Sequence, residues 1–322
     1  MHTEPQSQSR LALFPISFFS ITLGLGGWAI ATQKLAGMLS LPGWAGTAIL
    51  ALDVLIFIIM ATFYAAKLFV HGDAVARELG NPVKLSFFPT ISIGLILMGI
   101  ALMEISAPAS RLLWATGTVL HLAFTLYILK DWICQEHYEI QHMNPAWFIP
   151  VVGNILVPIA GVSHAPADIS WFFFAVGIIF WIVLLTIVLY RMIFHRSIPE
   201  RLLPTLFILV APPAVGFIAY VKLTDSLDAF ARVLYFFALF LLMLLFTFFN
   251  RFRKIRFYLS WWAYTFPIAA FTIASVLMGR LSGDTLYFGL AAVLWSALSL
   301  LIAFLAVKTV IAIATREICV ED

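Results

Sequence analysis

Charge is the scarcest property of this chain. Asp, Glu, Lys and Arg together supply 11% of its 322 residues, whereas 63% are hydrophobic. Soluble domains carry roughly 25% charged residues, so a water-soluble globule is excluded: too few charges exist to coat so much apolar surface. Cysteine is almost as rare. Cys134 and Cys319, the two present, are predicted to fall near one membrane face as free thiols, which argues against a disulfide framework. The net charge of +3 is too small to point to nucleic acid. No serine–histidine–acid set, glycine-rich phosphate loop or HExxH helix occurs. An enzymatic site therefore has nothing to rest on, and no cofactor is implied. The polar start MHTEPQSQSR precedes an apolar run without a small-residue cleavage site, and reads as a tail rather than a removed signal.

What the chain does have is long apolar runs. In lipid every backbone group must be satisfied internally, which leaves helices or closed barrels, and runs of about 20 residues select helices. Ten spans are predicted, at 13–34, 44–70, 85–104, 109–130, 146–163, 169–194, 202–222, 226–250, 258–279 and 284–314. They form one transmembrane domain over 13–314, between tails at 1–12 and 315–322. An even number of spans puts both termini on one side, and that side carries fourteen Lys and Arg against five on the other. The positive-inside rule then places both termini in the cytoplasm.

Proline orders the spans further. Pro15, Pro89, Pro150, Pro158, Pro204, Pro212, Pro213 and Pro267 all fall in odd-numbered spans, and even-numbered spans contain none. Broken backbone at membrane depth is tolerated only where protein or water faces it. The odd spans are therefore read as five kinked inner helices and the even spans as five regular outer ones. All odd helices leave the same side, so the chain is five parallel hairpin repeats around a central path. Candidate lining residues on the odd spans are Ser20, Phe88, Asn154, Phe207, Pro213, Ala263 and Ala270. Lys84, Arg201, Arg253 and Arg256 are expected at the cytoplasmic mouth.

The inner spans hold no ionisable residue away from their ends, a pattern suited to conduction rather than tight ion binding. Asp53 and His121, by contrast, lie deep in even spans. A proton relay is one reading of them; hydrogen bonding between inner and outer helices, or between subunits, is the preferred one. In CQEHYEIQH, residues 134–142, Cys134, His137 and His142 could ligate zinc, but the spacing matches no closed four-ligand pattern. No metal site is expected there.

FPISFFSITLGLGG (14–27), NPVKLSFFP (81–89), NPAWFIPVVGN (144–154), LLPTLFILVAPPAVG (202–216) and WWAYTFP (261–267) resemble the slow-type anion channels of plant guard cells. They are also similar to the bacterial tellurite-resistance protein TehA and its dicarboxylate and sulfite exporter relatives. The resemblance implies a homotrimer with a pore in each subunit and a central phenylalanine occluding it. Carried to this chain, that residue is Phe266; Phe19 matches an aromatic position facing it, and Ser20 and Gly24 match small pore-side positions. Two departures are visible: the plant channels' long regulatory tails are missing, and Asn81-Pro82 stands where His-Pro is expected.

Position supports the same residue. Phe266 lies near mid-bilayer, and Pro267 removes the backbone bond to the Ala263 carbonyl, bending the helix beside the ring. Peptide N–H groups, helix dipoles and small hydroxyls at the kinks would make weak anion contacts. Passive conduction of chloride and nitrate across the plasma membrane is the expected function, with nitrate passing at least as well as chloride. The alternative is a secondary exporter of dicarboxylate, sulfite or tellurium oxyanions, proton-coupled through Asp53 or His121.

Overall fold

In a computed structural model of the chain, residues 9–319 are described, and every regular element among them is a helix. The expected tails therefore lie partly outside the described residues. Outer helices are long and unbroken: α2 (Ala45–Val70), α5 (Ala107–Cys134), α8 (Ala167–Phe194), α10 (Ala229–Thr247) and α13 (Thr285–Ala314). Short helices α3 (Gly72–Leu79) and α11 (Phe249–Phe252) cross the connections.

The inner spans are composite. Four of them begin as 3-10 helix, at Ile16–Phe19, Leu85–Phe87, Glu200–Val210 and Leu259–Tyr264. These run into α1 (Ser20–Leu35), α4 (Thr90–Ala101), α9 (Ala211–Thr224) and α12 (Thr265–Ser282). The third inner span alternates: 3-10 at Pro145–Trp147, α6 (Phe148–Val152), 3-10 at Gly153–Leu156, then α7 (Val157–His164). Four prolines mark joints, whereas Pro150 lies inside α6 and Pro204 inside the 3-10 helix Glu200–Val210. Pro89 immediately precedes α4, Pro158 and Pro212 open α7 and α9, and Pro267 is the third residue of α12. Proline fits a first helical turn, whose N–H groups have no intrahelical partner. The expected kink within a continuous α-helix is thus realised as a change of helix type. Hydroxyls repair the joints: Ser20, Thr90, Thr205 and Thr265 each donate to the carbonyl three residues back, at 2.6, 2.5, 2.6 and 2.7 Å.

Burial separates the two sets. In the most apolar stretches of the first, third, fourth and fifth inner spans, 83%, 83%, 83% and 72% of residues are buried, against 22% to 39% in the outer helices. Outer helices present leucine, isoleucine and phenylalanine outward, as a lipid-facing layer requires. The contacts of the inner helices run in a closed circuit: α1 meets α4 and α12, α4 meets α7, α7 meets α9, and α9 meets α12. Each inner helix also packs on the outer helix that follows it. The first and last spans are tied by Trp28 Nε1 donating to Ser299 Oγ (2.8 Å) and Trp295 Nε1 donating to Thr32 Oγ1 (2.9 Å).

One polar clasp fixes where the circuit starts. Lys67 on α2 and Glu78 on α3 form a buried ion pair of 2.8 Å. Lys67 Nζ also donates to the Phe14 carbonyl (2.8 Å), while Glu78 accepts the Tyr64 hydroxyl (2.8 Å) and the Ile16 N–H (3.4 Å). The entry of the first inner span is thereby held by both its carbonyl and its amide.

Candidate functional site

The inner helices enclose three successive cavities of about 70, 30 and 240 Å³. Their walls repeat with one register on all five helices. Ser20, Thr90, Ile149, Ile208 and Ala263 form the lowest shared layer, and Leu23, Ile93, Val152, Ala211 and Phe266 the next. Gly27, Leu97, Leu156, Val215 and Ala270 follow, then Ile30, Ile100, Ile159, Ile218 and Ile273. Each helix advances by three, four and three residues between layers, the stepping of a heptad seam. Because early residues of every inner helix line the first cavity and late residues the third, the five helices run parallel.

Phe266 lines both the first and the second cavity. The joint at Tyr264–Thr265 brings its ring inward, and Gly27 leaves the space it occupies. A Cβ at Gly27 would lie 2.8 Å from Ala269 Cβ and 3.4 Å from Phe266 Cδ2. No ionisable side chain lines either cavity. Ser20 and Thr90 are the hydroxyls there, and both donate to backbone carbonyls, so their protons do not point to the axis.

The third cavity is different. Lys34, Glu104, Lys222 and Arg280 line it with Gln33. Lys34 pairs with Glu104 at 2.7 Å, and Arg280 donates to the Lys34 carbonyl at 3.2 Å. The hydrogen bond and charge of Lys34 hold the Glu104 carboxyl below its ordinary range, and Arg280 and Lys222 add to the effect.

Of the expected lining residues, the structure brings Ser20, Ala263, Ala270 and Phe266 to the axis. Others are turned away. Phe19 packs on Phe57 and Tyr64, and Phe88 on Tyr64 and Phe124. Phe207 packs on Phe252 and Tyr264. Asn154 donates to Thr125 Oγ1 (3.0 Å) and the Val151 carbonyl (2.8 Å), facing the outer helix α5. Gly24 sits under Thr265 and Trp262, where a side chain would collide. The cavity wall instead holds Phe87 and Pro212, one residue before Phe88 and Pro213, and Ile208, one residue after Phe207. A 3-10 helix has 3.0 residues per turn and an α-helix 3.6, so the face a span turns inward shifts where it changes helix type. A step of three and four applied outward from Phe266 would have found the layers.

Lys84, Arg201, Arg253 and Arg256 stand where the chain enters the 3-10 segments, outside the first cavity's wall. Asn81 Oδ1 accepts the N–H groups of Val83 and Lys84, both at 3.0 Å, which gives the Asn-Pro departure a turn-forming role. Ser260 donates to the Arg201 carbonyl and Trp261 to that of Arg256. Asp53 and His121 lie behind the wall, fully buried. Asp53 faces Gly26, with neither carboxyl oxygen hydrogen-bonded; His121 Nδ1 meets Ser92 Oγ at 2.9 Å, while Nε2 abuts Gly153 without a partner. In the 134–142 stretch, His137 stacks on Tyr138 and His142 Nδ1 accepts the Glu139 N–H. Among the described residues no three His, Cys, Asp or Glu side chains gather as a metal set would.

Apolar outer helices of membrane-spanning length around a closed inner circuit mark a multi-pass membrane protein with a string of cavities among its inner helices. The family model described as voltage-dependent anion channel (SLAC1) matches residues 13–310, and the chain belongs to that family. The S-type anion channel SLAH3 of Arabidopsis thaliana is 31% identical over 97% of this chain and 50% of its own length. An uncharacterized transporter of Methanocaldococcus jannaschii is 24% identical over 88% of this chain and 91% of its own. The tellurite resistance protein TehA homolog of Haemophilus influenzae is 23% identical over 80% and 78%. The chain spans about half the length of the plant relatives SLAH3 and SLAH2. These plant relatives are described as anion channels.

Proposed function

We propose that each chain passively conducts small monovalent anions, chloride and nitrate among them, through the axial path, with Phe266 as the occluding residue. The observation that carries this reading is that Phe266 lines the cavities on both sides of its layer while no charged side chain lines either. An apolar constriction of this kind closes a path by excluding water and opens when the ring moves aside. Preference for anions follows from the surroundings. The α segments beginning at Ser20, Thr90, Ala211 and Thr265 direct their positive N-terminal ends toward the first cavity. The basic rim at Lys84, Arg201, Arg253 and Arg256 enriches anions outside it. Selection among anions then follows dehydration, which favours nitrate at least as much as chloride.

The charge bias places the 3-10 end and both termini in the cytoplasm of a plasma membrane, and the plant-channel resemblance favours a homotrimer with one path per subunit. The buried Asp53, without a hydrogen-bond partner, and the buried His121, whose Nε2 has none, keep a second reading in play, a proton-coupled exporter of small weak acids. Currents through the reconstituted Phe266→Ala protein at fixed voltage test the first reading, which expects a large rise. Unchanged current with folded protein would sink it, and uphill anion flux driven by a proton gradient would favour the exporter.

A further inference from the structure

Phe266 is one member of the second layer, but the fourth layer is uniform. Ile30, Ile100, Ile159, Ile218 and Ile273 stand at the same register, one from each inner helix, and all five line both the second and the third cavity. Below them lies the 30 Å³ chamber, lined only by apolar residues, and above them the charged 240 Å³ vestibule. This layer is where the path changes from apolar to polar wall.

We infer that the isoleucine layer is a second hydrophobic constriction, in series with Phe266. The inference rests on the conduction reading above and adds to it a second closed point and a dry chamber between the two. Five β-branched side chains around one axis narrow the path from every side, and a narrow, wholly apolar ring holds no water column. The two constrictions differ mechanically. A phenylalanine ring opens its layer by turning about its own side-chain bonds. Isoleucine in a helix is confined to one strongly preferred χ1 rotamer, so its layer opens only when the helices move apart. Phe266 thus acts as a local gate, and the isoleucine layer as a sensor of the spacing of all five helices. Barriers in series also make their removal non-additive, because the larger remaining one limits the current.

The test is a cycle of reconstituted variants recorded in symmetric chloride: Phe266→Ala, the pair Ile218→Thr with Ile273→Thr, and all three together. Threonine keeps the β-branch and admits water. The expected result is the large rise already assigned to Phe266→Ala, little change for the threonine pair while Phe266 is intact, and a further rise of about tenfold or more over Phe266→Ala for the triple variant. A triple variant no more conductive than Phe266→Ala overturns the isoleucine layer and leaves the Phe266 reading standing. Silence from every folded variant overturns both.

A second measurement needs no current. Ala270 lies between the two layers, so Ala270→Cys, in a chain with Cys134 and Cys319 changed to Ser, reports access from each side to a small charged thiol reagent. Two constrictions predict no labelling from either side. Adding Phe266→Ala should open access from the 3-10 end alone, and adding the threonine pair should open it from the vestibule alone. Labelling from the vestibule with the isoleucines intact overturns the proposal.

Discussion

Replacing Lys67 by methionine should show how strongly the entry of the first inner span is held. Its ammonium group lies within 2.8 Å of both the Glu78 carboxylate and the Phe14 carbonyl, and the two charged side chains are 1% and 8% exposed. Lys67→Met leaves Glu78 buried, with only the Tyr64 hydroxyl and the Ile16 N–H to offset its charge. Removing one partner of a buried ion pair costs about 3–5 kcal/mol, which for a chain of this size lowers the melting midpoint by roughly 5–15 °C. Lys67→Met combined with Glu78→Gln removes the stranded charge, and the glutamine oxygen still accepts from one of the two donors, so at least half of the loss should return. The assay is thermal unfolding of purified protein in detergent, followed by size-exclusion fluorescence. The same variant should leak anions after reconstitution, because the clasp sets the height of α1, and with it Leu23 and Gly27 beside Phe266. A midpoint within about 1 °C of the parent, or a double variant worse than the single one, would refute this account.

Two further outcomes follow from the wall of the path. Glu104→Gln removes the lone acid of the vestibule and should raise anion current at low salt by roughly 1.5- to 5-fold, the equivalent of about 0.2–1 kcal/mol for an exposed charge, with the gain vanishing near 1 M salt. Because Lys34 lowers the Glu104 pKa, acidifying the vestibule side should raise parent current only below the ordinary carboxylate range, and Glu104→Gln should abolish that rise. Gly153→Ala would put a Cβ 2.7 Å from His121 Nε2 and 2.8 Å from Ile93 Cδ1. This overpacking should cost about 1–3 kcal/mol, and His121→Ala in the same chain should relieve part of it in thermal unfolding.

Much of the fold was legible because lipid leaves few options. All ten spans predicted from apolar runs correspond to helical segments, and α2 (Ala45–Val70) and α13 (Thr285–Ala314) begin one residue from the predicted 44 and 284. Proline sorted inner from outer spans for a physical reason, since a residue without an N–H breaks helical pairing that lipid cannot replace, and the one in outer helix α5, Pro108, sits in its first turn, where no pairing is lost. The clasp was not legible. Lys67 and Glu78 come from different helices, and Lys67 in a list of charges looks like any interfacial lysine counted toward membrane orientation. Only the packing of α3 over the first inner span shows that it is buried.

The candidate lining residues divide between cavity wall and packed interior, and Gly24 and Pro213 lie off the wall although both are in α-helix. Ser20, Phe266 and Ala270 lie at or beyond a 3-10/α joint and line the cavities, and Ala263 lines the first cavity from inside the 3-10 segment Leu259–Tyr264. Phe88 and Phe207 lie in or beside 3-10 stretches, and there the cavity takes Phe87 and Ile208 instead. Proline content announces that a span is broken without saying whether the break is a bend or a tighter helix. A bend keeps the phase on each side of it, whereas a tighter helix shifts the phase with every residue. The fixed three-and-four stepping above the joints is therefore the firmer guide. It places Phe266 level with Leu23, Ile93, Val152 and Ala211, all smaller side chains. One large ring among four smaller neighbours is the economical way to close such a layer, and it lets the layer open by moving a single side chain.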